Sequence, residues 1–172
     1  MPNHVTNRII FSADLAGRVR TECFRNDNFT FESLIPSPPY KYEGNLSAQD
    51  EKDFPCNWAS WNKEHWGTKW DAYASSLVVE GDKAILTFDT AWNPPRPVIV
   101  AFANKYRCEF TFKSFDEGHN FWLIEEWGTK DRLSDSTDGP CYRMSNRYKL
   151  DEDKRALCIE LKGYDPDDQD DE

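Results

Sequence analysis

Residues 84–112, Ala84-Ile-Leu-Thr-Phe-Asp-Thr-Ala-Trp-Asn-Pro-Pro-Arg-Pro-Val-Ile-Val-Ala-Phe-Ala-Asn-Lys-Tyr-Arg-Cys-Glu-Phe-Thr-Phe112, carry two changes of hydrophobic period in one run. Ala84, Leu86 and Phe88 alternate with Ile85 and Thr87, which is the spacing of a strand with one buried face. Asn93-Pro-Pro-Arg-Pro97 ends that strand. Prolines suit the start of a helix, where their missing N–H would have had no partner. Val98, Phe102 and Tyr106, helped by Ile99, then form the inner stripe of a helix reaching about Tyr106. From Cys108 to Phe115 the alternation returns, with Phe110 and Phe112 on one face.

The flanks extend the pattern. Ser76 to Val79 precedes Glu80-Gly81-Asp82-Lys83, a short turn in which Gly supplies positive φ, and so makes a hairpin with residues 84–89. Nearer the N-terminus, Val5 to Phe11 reads as a strand. Ser12 is placed to cap a helix with Asp14 in its first turn. Leu15, Val19 and Cys23 stripe that helix to about Phe24, and Arg25-Asn-Asp-Asn28 ends it. A further strand is expected where Phe29, Phe31, Ser33 and Ile35 share a face, stopped by Pro36, Pro38 and Pro39. Beyond residue 115, Asp116-Glu-Gly-His-Asn120 turns the chain into a strand from Phe121 to Trp127. Tyr142 to Leu150 and Arg155 to Leu161 are expected to pair as a hairpin around Asp151-Glu-Asp-Lys154.

Two helices on one face of an antiparallel sheet define an α+β fold of ferredoxin-like type. The expected organisation is a single domain over residues 1–164, with a Trp-rich insertion at 36–75 and extra C-terminal hairpins, followed by an acidic tail at 165–172. The insertion is dense in rings: Cys56-Asn-Trp-Ala-Ser-Trp-Asn-Lys-Glu-His-Trp-Gly-Thr-Lys-Trp-Asp-Ala-Tyr73 holds four of the seven tryptophans. Trp58, Trp61 and His65 have helical spacing, and Gly67 suits the residue that ends a helix. The tetrapeptide Trp-Gly-Thr-Lys recurs at 127–130 in unlike surroundings, so it marks no repeat.

Several phrases of this chain belong together. They are Met1-Pro-Asn-His-Val-Thr-Asn-Arg8, Leu34-Ile-Pro-Ser-Pro38, Trp58-x-x-Trp61, His65-Trp-Gly-Thr-Lys-Trp-Asp-Ala-Tyr73, Phe88-Asp-Thr-Ala-Trp-Asn-Pro-Pro-x-Pro-Val-Ile99 and Asp116-Glu-Gly-His-Asn-Phe121. In this order they resemble the YubB-type ferredoxin-like family of small proteins carried by bacteriophages, plasmids and genomic islands. The resemblance covers residues 1–130. It implies the fold, a mobile-element origin and expression inside a bacterial host, and it implies no catalytic residues.

Composition narrows the function classes. Leu, Ile and Val number 23 against 25 aromatic rings, so the core must be closed by rings as much as by aliphatic chains. The net charge is −10, and six of the last eight residues are acidic; without those six an excess of negative charge remains. Such a surface is repelled by phosphate backbones, which argues against direct nucleic-acid binding. It favours a basic partner, including a protein groove that normally holds nucleic acid. No apolar run approaches the roughly 18 residues of a membrane span, and the N-terminus lacks the pattern of a signal peptide. The bacterial cytoplasm is the expected compartment. Five widely spaced cysteines with no CxxC pair read as reduced thiols, and no metal or cofactor is expected.

Three sites are candidates. The first is the Trp-rich segment, with Trp58, Trp61, Trp66, Lys69, Trp70, Asp71 and Trp92. It reads either as a binding surface, since tryptophans concentrate interface energy, or as core packing with Asp71 shaping a turn. The second is an acidic partner surface of Asp165, Asp167, Asp168, Asp170, Asp171 and Glu172. The third is His119 beside Asp116 and Glu117, a fragment suited to acid–base chemistry only if the groups converge. The leading expectation is a non-enzymatic phage or mobile-element protein that occupies a host protein, as a host-takeover or anti-defence inhibitor of the anti-CRISPR kind. The alternative is a sponge that holds a signalling nucleotide between tryptophans and Lys69, Arg96 or Arg143. A small hydrolase using His119 comes third.

Overall fold

The computed structural model describes residues 3–129, 142–148 and 151–167. Strand β1 (His4–Ser12) lies inside the sheet, with β5 on one side and β6 on the other. Its Val5, Ile9 and Phe11 are buried on one face, while Arg8 and Ile10 on the other are only half-buried. A 3-10 turn at Ala13–Leu15 leads into α1 (Ala16–Cys23), whose Ala16, Val19 and Cys23 are buried. Ser12 precedes this turn as expected, but its hydroxyl caps no backbone N–H.

The expected strand over Phe29–Ile35 is absent. Two short strands, β2 (Phe24–Arg25) and β3 (Asn28–Phe29), form a ribbon that turns through Asn26 and Asp27, both at positive φ. A second 3-10 turn follows at Phe31–Ser33. The Phe31 carbonyl accepts from both Leu34 N (2.9 Å) and Ile35 N (2.8 Å), so this backbone bonds to itself instead of joining a ladder. The insertion continues through α2 (Asp50–Asp53) and α3 (Trp58–His65).

Then come β4 (Tyr73–Glu80), β5 (Lys83–Ala91), α4 (Arg96–Tyr106), β6 (Phe110–Asp116), β7 (Trp122–Thr129), β8 (Tyr142–Tyr148) and α5 (Asp151–Lys162). Neighbouring strands are antiparallel in the order β4-β5-β1-β6-β7-β8. Helix α1 therefore links β1 to a strand two places away and parallel to it, and α4 does the same for β5 and β6. Those two interleaved β-α-β units make β4-β5-β1-β6 a ferredoxin-like sheet, extended by β7 and β8.

Helices α1 and α4 share one face of the sheet. Their Val19, Cys23, Val98 and Phe102 join Ile9, Leu86, Phe88 and Phe112 in one core, together with Trp61 and Trp66 of the insertion. Rings do much of the filling, as the composition requires: Phe29 packs against Phe31 and Phe88, and Phe102 against Phe11 and Phe110. Each buried Phe contributes about 1.5–3 kcal/mol.

The C-terminal segment corrects a second expectation. Residues 155–161 belong to α5, not to a hairpin strand, and α5 covers the opposite face of the sheet. Leu157, Cys158 and Leu161 pack there against Phe115, while Glu160 pairs with Arg8 (3.1 Å) and Lys113 (2.6 Å). Among the described residues, no helix is long and apolar enough to cross a membrane. Cys23, Cys56, Cys108 and Cys158 are free thiols, and Cys141 lies outside the described residues.

Candidate functional site

The insertion sorts its tryptophans into two groups. Asn57 caps α3 by accepting from Ser60 N (3.0 Å), which fixes the rotation of the helix. Trp61 and Trp66 then point inward and are 8% and 3% exposed. Their rings meet edge to face at 5.3 Å, and the Trp66 indole donates to Ile35 O (3.0 Å). These two close the core, so they leave the candidate binding surface. Gly67 ends the helix with a φ of 80°, and a Cβ there would meet Pro97 Cδ at 2.9 Å. Only glycine allows the insertion to approach the start of α4 so closely.

Asp71 also acts inward. Its Oδ1 accepts from Phe31 N (2.7 Å) and Ala72 N (2.8 Å), and its Oδ2 from Thr30 Oγ1 (2.6 Å). Burial pushes its carboxyl above the ordinary value, against the pull of those bonds. Both oxygens are used in holding the 31–33 turn, so Asp71 shapes the fold and is removed from the binding set.

Lys41, in a stretch that reads only as a polar loop, is a residue the sequence pattern conceals. Its side chain is 4% exposed. The ammonium sits 4.9 Å from the ring centroids of both Trp61 and Trp66, 3.0 Å from Glu43 and 3.3 Å from Asn62 Oδ1. No periodicity or motif signals a buried lysine of this kind.

The insertion's other two tryptophans, Trp58 and Trp70, surround a second lysine together with Trp92, which follows β5. The Lys69 ammonium lies 4.8 Å from the centroid of Trp70, 4.9 Å from Trp92 and 5.9 Å from Trp58. Among the described residues no carboxylate pairs with it, although acids outnumber bases 31 to 21 in the chain. Trp70 and Trp92 are 38% and 47% exposed. Trp58 is half-buried and anchored through its indole to Gly44 O (3.0 Å). Asn62 Nδ2 donates to the Lys69 carbonyl (2.9 Å) and fixes the backbone beneath the cluster.

Trp92 is held in an unfavourable conformation. Its φ is 68°, a region that bulky residues avoid. Asn93 N donates to Ala91 O (2.9 Å), closing a tight three-residue turn around it. Further bonds fix that turn: Trp92 N to Asn3 O (2.9 Å), Thr90 Oγ1 to Asn93 O (2.8 Å) and Thr68 Oγ1 to Ala91 O (2.8 Å). Thr90 is itself held by buried Asn7, whose Oδ1 accepts from Ser114 Oγ. Such strain costs about 1–3 kcal/mol, and bonds at about 0.5–1.5 kcal/mol each can sustain it. The fold thus strains its backbone to hold a large ring half in water.

Beside the cluster, Trp58 and Trp70 wall a recess of about 350 Å³ whose polar lining includes Glu32, Glu43 and the Lys41 ammonium. Glu32 is already engaged by Ser37, through its N (2.7 Å) and its hydroxyl (2.5 Å). The recess therefore joins indole faces to two carboxylates that both pair with the Lys41 ammonium, Glu32 at 3.7 Å and Glu43 at 3.0 Å.

The other candidates do not converge. His119 Nε2 lies 2.9 Å from the Tyr164 hydroxyl, while Asp116 Oδ2 accepts from Asn120 and Glu117 Oε1 from His4 N. Asp165 accepts from Arg155 (2.5 Å), which pulls its carboxyl below the usual range, and Asp167 also lies near that guanidinium. Asp168, Asp170, Asp171 and Glu172 lie outside the described residues. Arg96 is engaged with buried Glu125, and the Arg143 side chain lies outside those described. Among the described residues, no group of three or more His, Cys, Asp or Glu is arranged to hold a metal ion.

Topology and site together define a ferredoxin-like α+β protein with an exposed indole cluster built on an insertion. The family described as the ferredoxin-like domain in Api92-like protein matches residues 65–138. The chain is similar to that domain from the end of α3 through β4, β5, α4, β6 and β7. No curated protein and no solved structure matches the chain.

Proposed function

We propose that this protein is a non-enzymatic binding protein of a bacteriophage or related mobile element, of YubB type, that occupies a basic surface on a host bacterial protein. Host takeover or anti-defence inhibition is the role this would serve. The observation that carries the reading is Trp92, a ring kept half-exposed on a strained and heavily anchored turn beside exposed Trp70. Strain of this kind is retained where a surface is used, and tryptophans supply interface energy out of proportion to their number. The net charge of −10 would steer a basic partner and repel nucleic acid. Origin rests on the resemblance over residues 1–130, and the family match over 65–138 agrees with its ferredoxin-like part.

The nucleotide-sponge reading has no comparable support, since Arg96 is committed to Glu125 and carboxylates line the recess beside the indoles. The test compares tagged wild type with Trp92→Ala for capture of bacterial lysate proteins at low and raised salt. A basic host protein retained by wild type at low salt, and released by either the substitution or the salt, is the expected result. No retained protein at either salt, or equal retention by both chains, would overturn the reading.

A further inference from the structure

Lys69 is a cation held by three π faces, with no carboxylate among the described residues to fix it. In an acidic chain an ammonium ordinarily finds an acid; here Asn62 holds the Lys69 backbone while its head is left among Trp58, Trp70 and Trp92. All three centroids are within about 6 Å of the ammonium, the range in which the ring quadrupole attracts a cation. Contacts of this kind are weak at a half-exposed site. A group so weakly held on a half-exposed cluster can be displaced.

We infer that Trp58, Trp70 and Trp92 form a cation-binding cage, occupied by Lys69 as an internal substitute and opened when a lysine side chain of a basic partner takes its place. Lys69 itself shows that an alkylammonium fits between the rings. The chain's net charge of −10 attracts a cationic partner to it, and Glu32 and Glu43, both paired with Lys41, line the adjoining recess. The inference rests on the indole cluster being the binding surface and adds what that surface recognises. Because the internal ammonium competes, apparent affinity is lowered by the fraction of time the cage stands open. Removing Lys69 should therefore raise affinity for an outside cation, whereas removing a lysine outside the cage should not.

Choline is a suitable probe, since its trimethylammonium head fits aromatic cages, and 3,3-dimethylbutan-1-ol is its neutral isostere. Each is titrated into wild type, Lys69→Ala and Lys63→Ala while the indole N–H resonances of Trp58, Trp70 and Trp92 are followed. Lys63 is exposed on α3 and serves as the charge control. Saturable binding of choline to Lys69→Ala about tenfold tighter than to the other two chains, with no saturation by the isostere, is the expected result. Equal choline affinity for Lys69→Ala and Lys63→Ala, or equal binding of the isostere, would overturn the cage. Lys69→Met keeps the stem packing and must behave like Lys69→Ala. A cage that fails this test while Trp92→Ala still abolishes partner capture leaves the surface reading standing. Choline binding with capture unaffected by Trp92→Ala would do the reverse.

Discussion

Thr68 Oγ1 donates to the carbonyl of Ala91 at 2.8 Å, and this bond is buried. It joins the two most distinctive phrases of the chain, Trp66-Gly-Thr-Lys-Trp70 and Asp89-Thr-Ala-Trp-Asn-Pro-Pro95. The same carbonyl accepts from Asn93 N, so Thr68 helps set the turn that lifts Trp92 into water. Thr68→Val keeps the shape and removes the donor. It should cost about 1–2 kcal/mol in urea unfolding and shift the Trp92 indole resonance. Thr68→Ser should restore both; a Thr68→Val protein with an unmoved Trp92 resonance would break the link.

Asp71 predicts an asymmetry between two substitutions. Asp71→Ala leaves Phe31 N and Ala72 N without their acceptor, at a cost of about 2–3 kcal/mol. Asp71→Asn keeps that oxygen and removes a charge that burial disfavours, so it should cost less than about 1 kcal/mol. The pH dependence follows from the sign. A carboxyl raised above its ordinary 3.8 contributes fully below that value and loses its contribution as pH rises through the raised one. Wild-type stability should therefore gain on Asp71→Asn as the pH falls toward 4. Parallel pH–stability curves would refute the assignment.

How much of this could be read beforehand depends on the range of the bonds involved. Strands β1, β5 and β6 and helix α4 follow local period, and each lies where Ile9, Leu86, Phe112 and Phe102 place it. The 29–35 segment alternates equally well, yet Asn26 and Asp27 at positive φ and the remote Asp71 carboxylate bend it into a 3-10 turn. Leu157, Ile159 and Leu161 also imitate a strand. Ile159 is 46% exposed, and the buried partners Leu157, Cys158 and Leu161 have helical spacing. At the site, the density of tryptophans was visible but their division was not. Whether an indole faces the core or water is decided by Asn57, Gly67 and Thr68 acting across the fold. Lys41 gave no signal because its partners are up to 25 residues away in sequence.

Alkaline titration tests the packing at the sheet end. Burial, with Asp89 and Glu117 nearby, pushes the Tyr73 hydroxyl up to about 12, and it lies 2.6 Å from His4 Nδ1. Burial and the bond to Cys23 push Tyr106 up as well. These phenols hold their protons more tightly folded than unfolded, so their contribution is complete below pH 10 and is lost as pH rises toward 12. Tyrosinate absorbance should show a late-ionising fraction in the folded protein that includes Tyr73 and Tyr106, with Tyr164 also raised by burial, and stability should decline over that window. Tyr73→Phe should reduce the decline. Seven tyrosines ionising together in the folded protein would contradict this.

The division of the tryptophans makes the sharpest contrast. Trp66 is 3% exposed, packs on Phe31 and Trp61, and has its indole bonded to Ile35 O, so Trp66→Ala should cost about 3–5 kcal/mol. Trp92 is 47% exposed, so Trp92→Ala should change unfolding free energy by less than about 1 kcal/mol. The residual cost has a specific origin, because alanine is also disfavoured at a φ of 68°. Trp92→Gly removes that penalty and should be at least as stable as Trp92→Ala, although glycine adds freedom to the unfolded chain. Urea unfolding of the three variants checks the order, and partner capture by the same proteins separates folding from recognition. Trp92→Gly should fold and fail to capture. A Trp92→Gly protein that captures as wild type does would place recognition elsewhere on the molecule.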